Sequence, residues 1–298
     1  MSVPSASTMR AELKQRLIEM VNARDAFNQN IAELKRIGIA PRTDRLFLSE
    51  ATERAISFYF EKLCSRLTTE HANGTPAEVK LAYSLYGFDR SSYDDQECGL
   101  NEPFYHKLID AGDEPTECQI DLMEEAVGRI DFDAIEQSLT GQVNGLANEG
   151  LRLIAENYMH AMNIYYSHAS MKITGRHVVL QMDSCDNFSS YQWRQELQHV
   201  LQLHGQVQQM GGVCLGNSIH ELDMAVCRLS FENPTIPSRT AFGKGTDLEI
   251  VCFKDKYEFR YSRKAFDAIL AFISLFGKGE RFASLLNETA SLTLPLAS

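Results

Sequence analysis

Glu196 and His199 stand three residues apart, a spacing that puts a carboxylate and an imidazole on one helix face, as in carboxylate-bridged di-iron bundles. Those centres use two such pairs and two more carboxylates. No second pair exists here, and Glu156 and His160 are spaced differently. No Cys/His spacing matches a zinc site. Asp94-Asp95 and Asp131-Phe-Asp133 lack the glycine and closing glutamate of a calcium loop. There is no G-x-S-x-G elbow, and no cysteine lies in a recognisable nucleophile signature. Phe242-Gly-Lys-Gly245 and Phe276-Gly-Lys-Gly279 echo a glycine-rich phosphate turn, but neither follows a strand and opens a helix. Asn233-Pro-Thr-Ile236 begins like the Asn-Pro-Pro-aromatic motif of amino-group DNA methyltransferases, without the second proline or the aromatic. The expectation is no catalytic residue, no bound metal and no cofactor.

The charge pattern is more informative. Fifteen of the 48 residues from Asp89 to Glu136 are acidic and three are basic, whereas the whole chain carries a net −11, so the rest is close to neutral. A local acidic block repels nucleic acid and attracts a basic protein surface, including one that normally grips phosphates. The candidate partner-binding residues are Asp94, Asp95, Glu97, Asp110, Asp113, Glu114, Glu117, Asp121, Glu124 and Glu125. Their presentation depends on whether Arg10 to Arg45 neutralise them internally. A basic cluster (Arg239, Lys244, Lys254, Lys256, Arg260, Arg263, Lys264) interleaves with Tyr257, Phe259 and Tyr261. That is either a nucleic-acid platform or one face of a half-buried hairpin; Asp247, Glu249, Asp255 and Glu258 among the cations favour the hairpin.

The elements that must position these groups follow from periodicity. Leu13, Leu17, Met20, Phe27, Ile31 and Leu34 form a helical stripe that Arg24 interrupts, stopped at Gly38. A second helix spans about Ser49 to Thr69. Thr75-Pro-Ala-Glu78 reads as a capping box opening a helix that stops at Gly87. Cys98-Gly99 and Asp110 to Asp113 mark loops, and Thr116 to Ile130 is helical, with Ile120, Met123, Val127 and Ile130 opposite the carboxylates. A further helix runs from about Val143 to Ser167, its start blurred by Gly141, Gly145 and Gly150. After Met171 β-branched alternation begins. A helix ending at Gly205, a capping box at Ser218 to Glu221, strands at Leu248–Phe253 and Tyr257–Tyr261, and a Ser262-capped helix complete the chain. The predicted fold is α+β: a helical region over 1–170 carrying the acidic segment 89–136, then a smaller α+β domain over 171–298 with β-hairpins only after residue 170. Seven scattered cysteines without C-x-x-C pairs read as buried free thiols of a reducing compartment. With no signal segment or apolar run of spanning length, a cytoplasmic protein of a bacterial host is expected, with no membrane partner.

Lys172-Ile-Thr-Gly-Arg-His-Val-Val-Leu180, then Trp193 ahead of Leu197-Gln-His-Val-Leu-Gln-Leu-His-Gly205, then Phe253-Lys-Asp-Lys-Tyr-Glu-Phe-Arg-Tyr261 and Arg263 form an ordered set. Over about 171–276 it resembles a domain of unknown function carried on bacterial plasmids, integrative elements and phages, often beside or fused to adenine-specific DNA methyltransferases. Asp255-Lys256 replaces that family's Asn-Gly turn, its hairpin histidine is absent, and its acidic helix signature is reduced to Gln198 and His199. The resemblance implies a mobile-element protein and supplies no catalytic residue.

Provenance and acidic block together lead to one expectation. It is a non-enzymatic, anti-CRISPR-like anti-defence protein acting by protein–protein interaction on a host complex with a basic nucleic-acid-binding surface. Its acidic patch would touch no nucleic acid directly. The alternatives are a methyltransferase-associated accessory or enzyme of DNA modification, marked by S-adenosylmethionine binding, and a regulatory or structural module whose acidic segment is only a solvated face.

Overall fold

The computed structural model describes residues 2–41, 45–86, 88–90, 98–100, 102–162, 171–174, 176–183, 190–229, 236–254 and 256–277. Its architecture is α+β, in two compact units, Met1–Leu146 and Ala147–Ser298, that divide within one helix.

The first unit is built on α1 (Ala6–Arg36) and α2 (Leu48–His71). Ser5 caps α1 by accepting from Thr8 N, and Glu136 Oε2 accepts the Ala6 N–H at 2.5 Å, placing a carboxylate at the positive end of the helix. Gly38, at φ 83°, ends α1 where a side chain would be strained. The buried face of α1 is Met9, Leu13, Leu17, Val21 and Ile31, and Arg24 belongs to it rather than interrupting it. Phe27, expected in the stripe, is 40% exposed.

Three expectations fail here. Thr75 to Glu78 opens no helix. The Thr75 hydroxyl donates to Ala72 O (2.7 Å), closing the end of α2, and the amide of Gln142 clasps Lys80 N and O at 2.9 and 2.8 Å. With those backbone groups satisfied by a distant side chain, the segment runs non-helical to a single 3-10 turn at Tyr83–Tyr86. Strands also occur before residue 170: β1 (Phe88–Arg90) and β2 (Cys98–Leu100) pair antiparallel, so Cys98-Gly99 lies in a strand. An unpredicted helix, α3 (Glu102–Asp110), follows, burying Phe104 and Leu108. Then come a 3-10 turn at Ala111–Asp113 and α4 (Thr116–Gly128). Helix α5 (Phe132–Ala161) starts earlier than expected because Asp131 Oδ1 accepts the Ala134 N–H at 3.0 Å; Asp131-Phe-Asp133 is a helix cap.

The second unit packs helices on a five-stranded antiparallel sheet of order β3-β4-β7-β6-β5. Its strands are β3 (Met171–Thr174), β4 (His177–Asp183), β5 (Ala241–Phe242), β6 (Leu248–Cys252) and β7 (Lys256–Ser262). Ile154 and Tyr158, on the last turns of α5, and Met162 just beyond it join its core. Helix α6 (Ser190–Gly211) runs through Gly205 and ends at Gly212, φ 64°. Helix α8 (Arg263–Phe276) starts where expected, with Ala265 N donating to Ser262 Oγ at 3.1 Å.

At α7 (Ser218–Cys227) the capping box does not form. The Ser218 hydroxyl turns to Leu215 O (3.4 Å), and Glu221 instead accepts the Gly243 N–H (2.8 Å), tying the turn after β5 to the helix. Gly243 has φ 65°; a Cβ there would meet Ser218 Cβ and stand 2.7 Å from Leu248 O. Gly243→Ala is therefore expected to cost about 2 kcal/mol, from left-handed strain and the close approach together. A urea midpoint unchanged from the parent would contradict that expectation.

Candidate functional site

Helix α4 carries the acidic surface, and its amphipathic pattern places it. Met123 and Val127 are buried, and Ile130 is buried just beyond the helix, while Glu117, Asp121 and Glu124 face solvent. The N-terminal end of α4 is latched to α1. Arg24, 3% exposed, donates Nη2 to Gln119 Oε1 at 2.7 Å and to Gly112 O at 3.3 Å, and pairs with Asp25. Asp25 Oδ2 accepts from the Thr116 hydroxyl (2.7 Å), and Gln119 Nε2 donates to Glu114 O (2.7 Å). Burial would raise the Asp25 carboxyl, but the Thr116 hydroxyl and the Arg24 guanidinium outweigh it and hold it below the ordinary range.

This frame sorts the ten candidate carboxylates. Asp94, Asp95 and Glu97 lie outside the described residues. Asp113 pairs with Arg45, which also donates to Gly112 O at 2.8 Å; that guanidinium lowers the Asp113 carboxyl pKa. Glu124 pairs with Lys14 of α1. Glu125 accepts from Lys107 at 2.9 Å and Arg129 at 2.7 Å, and those hydrogen bonds depress its pKa. Asp110, Glu114, Glu117 and Asp121 are exposed and make no ion pair among the described residues. Ile109, beside Asp110, is 47% exposed. The segment is thus partly tied to Lys14 and Arg45 and partly presented, from the end of α3 to the middle of α4.

The remaining candidates do not assemble into a site. Glu196 and His199 are exposed on α6, and among the described residues no three His, Cys, Asp or Glu are gathered to hold a metal ion. Tyr257, Phe259 and Tyr261 point into the core at 3%, 0% and 0% exposure, so the hairpin is no aromatic platform. The two cations on β7 are compensated: Lys256 pairs with Glu258 at 3.0 Å, and Arg260 with Glu258 at 2.8 Å. Strand alternation turns every second side chain inward, which produces the interleaved pattern without any ligand. Cys118, Cys214 and Cys227 are exposed rather than buried, whereas Cys64 and Cys252 are buried as expected. Burial, then Glu61, pushes the Cys64 thiol up to about 11, so it is no thiolate at neutral pH in its cleft of about 490 Å³. No described helix is long and apolar enough to cross a membrane.

Sequence reasoning missed a buried polar triad in the second unit. His204, 0% exposed, donates Nδ1–H to Val200 O at 2.7 Å, which leaves Nε2 to accept from the Tyr261 hydroxyl at 2.5 Å. Tyr261 in turn accepts from the Tyr158 hydroxyl at 2.9 Å. Phe259 stacks on the imidazole, with centroids 4.9 Å apart at 16°. Burial pushes His204 down to about 4 and both phenols well above their ordinary value, so all three groups are neutral. Sealed from solvent and fully hydrogen-bonded, the triad holds the core rather than a substrate. The available signal was the place of His204 at helical spacing on the apolar stripe Leu197, Val200 and Leu201.

Comparison with protein-family models, curated proteins and solved structures finds no match to the chain.

Proposed function

We propose that this chain is a non-enzymatic binding protein of a mobile genetic element that occupies the basic nucleic-acid-binding surface of a host complex, in the manner of an anti-CRISPR protein. The observation that supports it is the exposed set Asp110, Glu114, Glu117 and Asp121, without ion pairs among the described residues, on a segment latched by buried Arg24. Glu117 and Asp121 are one helical turn apart, a spacing of about 5–6 Å that suits a row of Lys or Arg side chains built to grip phosphates. A latched surface loses little side-chain and backbone freedom on binding. The resemblance over 171–276 supplies the mobile-element setting, and it also favours a second reading, an accessory of DNA modification, which predicts saturable S-adenosylmethionine binding.

The test begins by capturing the partner from a bacterial host lysate and identifying it. Its nucleic-acid affinity is then measured with and without this chain over a range of salt. The parent is expected to displace nucleic acid, with association slowing as salt shortens the Debye length from about 10 Å at 0.1 M. Glu117→Lys with Asp121→Lys should weaken displacement by about tenfold or more while stability stays within about 0.5 kcal/mol. These positions are preferred to Glu124, whose reversal would also set two cations against each other at Lys14. Equal displacement by parent and variant at every salt concentration would refute the reading.

A further inference from the structure

On the side of α1 that meets α2, three cations converge. Arg16 of α1 and Lys62 and Arg66 of α2 line a depression of about 240 Å³ whose other walls are Glu12, Tyr59 and Leu63. None of the three makes an ion pair among the described residues, whereas Lys14 of α1 is taken by Glu124 of α4. Glu12 is held by the Tyr59 hydroxyl, which donates to Oε2 at 3.0 Å. The Arg16 guanidinium lies over the Tyr59 ring, 5.5 Å from its centroid, and Lys62 Nζ stands 5.3 Å from the centroid of exposed Phe58. Burial, then the Glu12 contact, raises the Tyr59 phenol, and Arg16 and Arg66 pull it the other way, as cations near its oxygen must.

We infer that this depression between α1 and α2 binds a compact multivalent phosphate, the di- or triphosphate group of an inorganic or nucleotide ligand. Two guanidinium forks match phosphate oxygens in pairs, and the ammonium adds a mobile third donor. Three exposed cations around one carboxylate give the depression a local positive excess that favours a multiply charged anion over a singly charged one. A long nucleic-acid backbone fits less well, because the depression is small and the Glu12 carboxylate forms part of its wall. The site is separate from the carboxylates on α3 and α4, so its failure leaves the proposed function standing, and the converse also holds.

Titration calorimetry of the full chain at low salt tests it, with inorganic tripolyphosphate, ATP and a single-stranded oligonucleotide as probes. Saturable tripolyphosphate binding is expected, weakened about tenfold or more by Arg16→Gln with Arg66→Gln and unchanged by Lys80→Gln. Equal affinity for ATP assigns recognition to the phosphates alone; tighter ATP binding that the same variant abolishes adds a contact to the nucleoside, and both outcomes support the site. If the double variant misfolds, Lys62→Gln, at an exposed position, reads the same depression. Absence of saturable binding, binding indifferent to these substitutions, or an oligonucleotide that displaces tripolyphosphate from them would overturn the inference.

Discussion

Replacing His204 with alanine is expected to cost the second unit about 3–5 kcal/mol, since it opens a cavity and leaves the buried Tyr261 hydroxyl without its acceptor. Tyr261→Phe should cost less, about 1–2 kcal/mol, because the Tyr158 hydroxyl already lies 3.4 Å from His204 Nε2 and can take over the donation. The same imidazole makes stability pH-dependent. Its folded pKa, about 4, lies below its ordinary value of 6.5, so the unfolded chain binds the proton more readily. The contribution is fully present above pH 6.5 and is lost as pH falls toward 4. At about 1.36 kcal/mol per pH unit, the fall amounts to roughly 3 kcal/mol. Hydrogen exchange of the α6 amides between pH 6.5 and about 5, above most carboxylate titration, reads it out. His204→Leu should flatten that dependence; a parent protein with flat protection over the same range would show that the imidazole is not held neutral.

Arg24→Ala is expected to destabilise the first unit by about 2–4 kcal/mol, because it strands Gln119 in the interior and removes the partner of Asp25. Asp25 is 21% exposed at its side chain, and solvent there moderates the loss. Arg24→Lys should restore little, since an ammonium has no counterpart of the paired Nε and Nη2 donors that grip Asp25 while Nη2 also reaches Gly112 and Gln119. Chemical denaturation gives the global loss, and amide exchange in the first turn of α4 locates it. A lysine variant as stable as the parent would mean that the network contributes charge rather than geometry.

Much of the fold was legible locally. The stripes of α1 and α2, the amphipathic pattern of α4, the alternation of β6 and β7 and the Ser262 cap are decided by residues within a few positions of one another, so periodicity and capping chemistry suffice to find them. The acidic block was legible in the same way, as a count of charges along the chain. Which carboxylates remain presented was not, because Lys14 and Arg24 of α1, and Arg45 between α1 and α2, are distant in sequence and meet the segment only in the folded unit.

The misread elements share that cause. Thr75 and Ser218 both stand in capping boxes that never close, because Ala72, Gln142, Leu215 and Gly243 supply or claim the hydrogen bonds first. Arg24 looked like a break in an apolar stripe because periodicity cannot see Gln119, Asp25 and Gly112 O, which accept from Nε and Nη2 of its buried guanidinium. Local patterning sets where helices and strands can form and where charge accumulates. Which polar groups are consumed internally and which face solvent is set by packing, because a side chain's hydrogen-bond partner is chosen by proximity in space, and burial makes leaving it unpaired too costly for local preference to prevail.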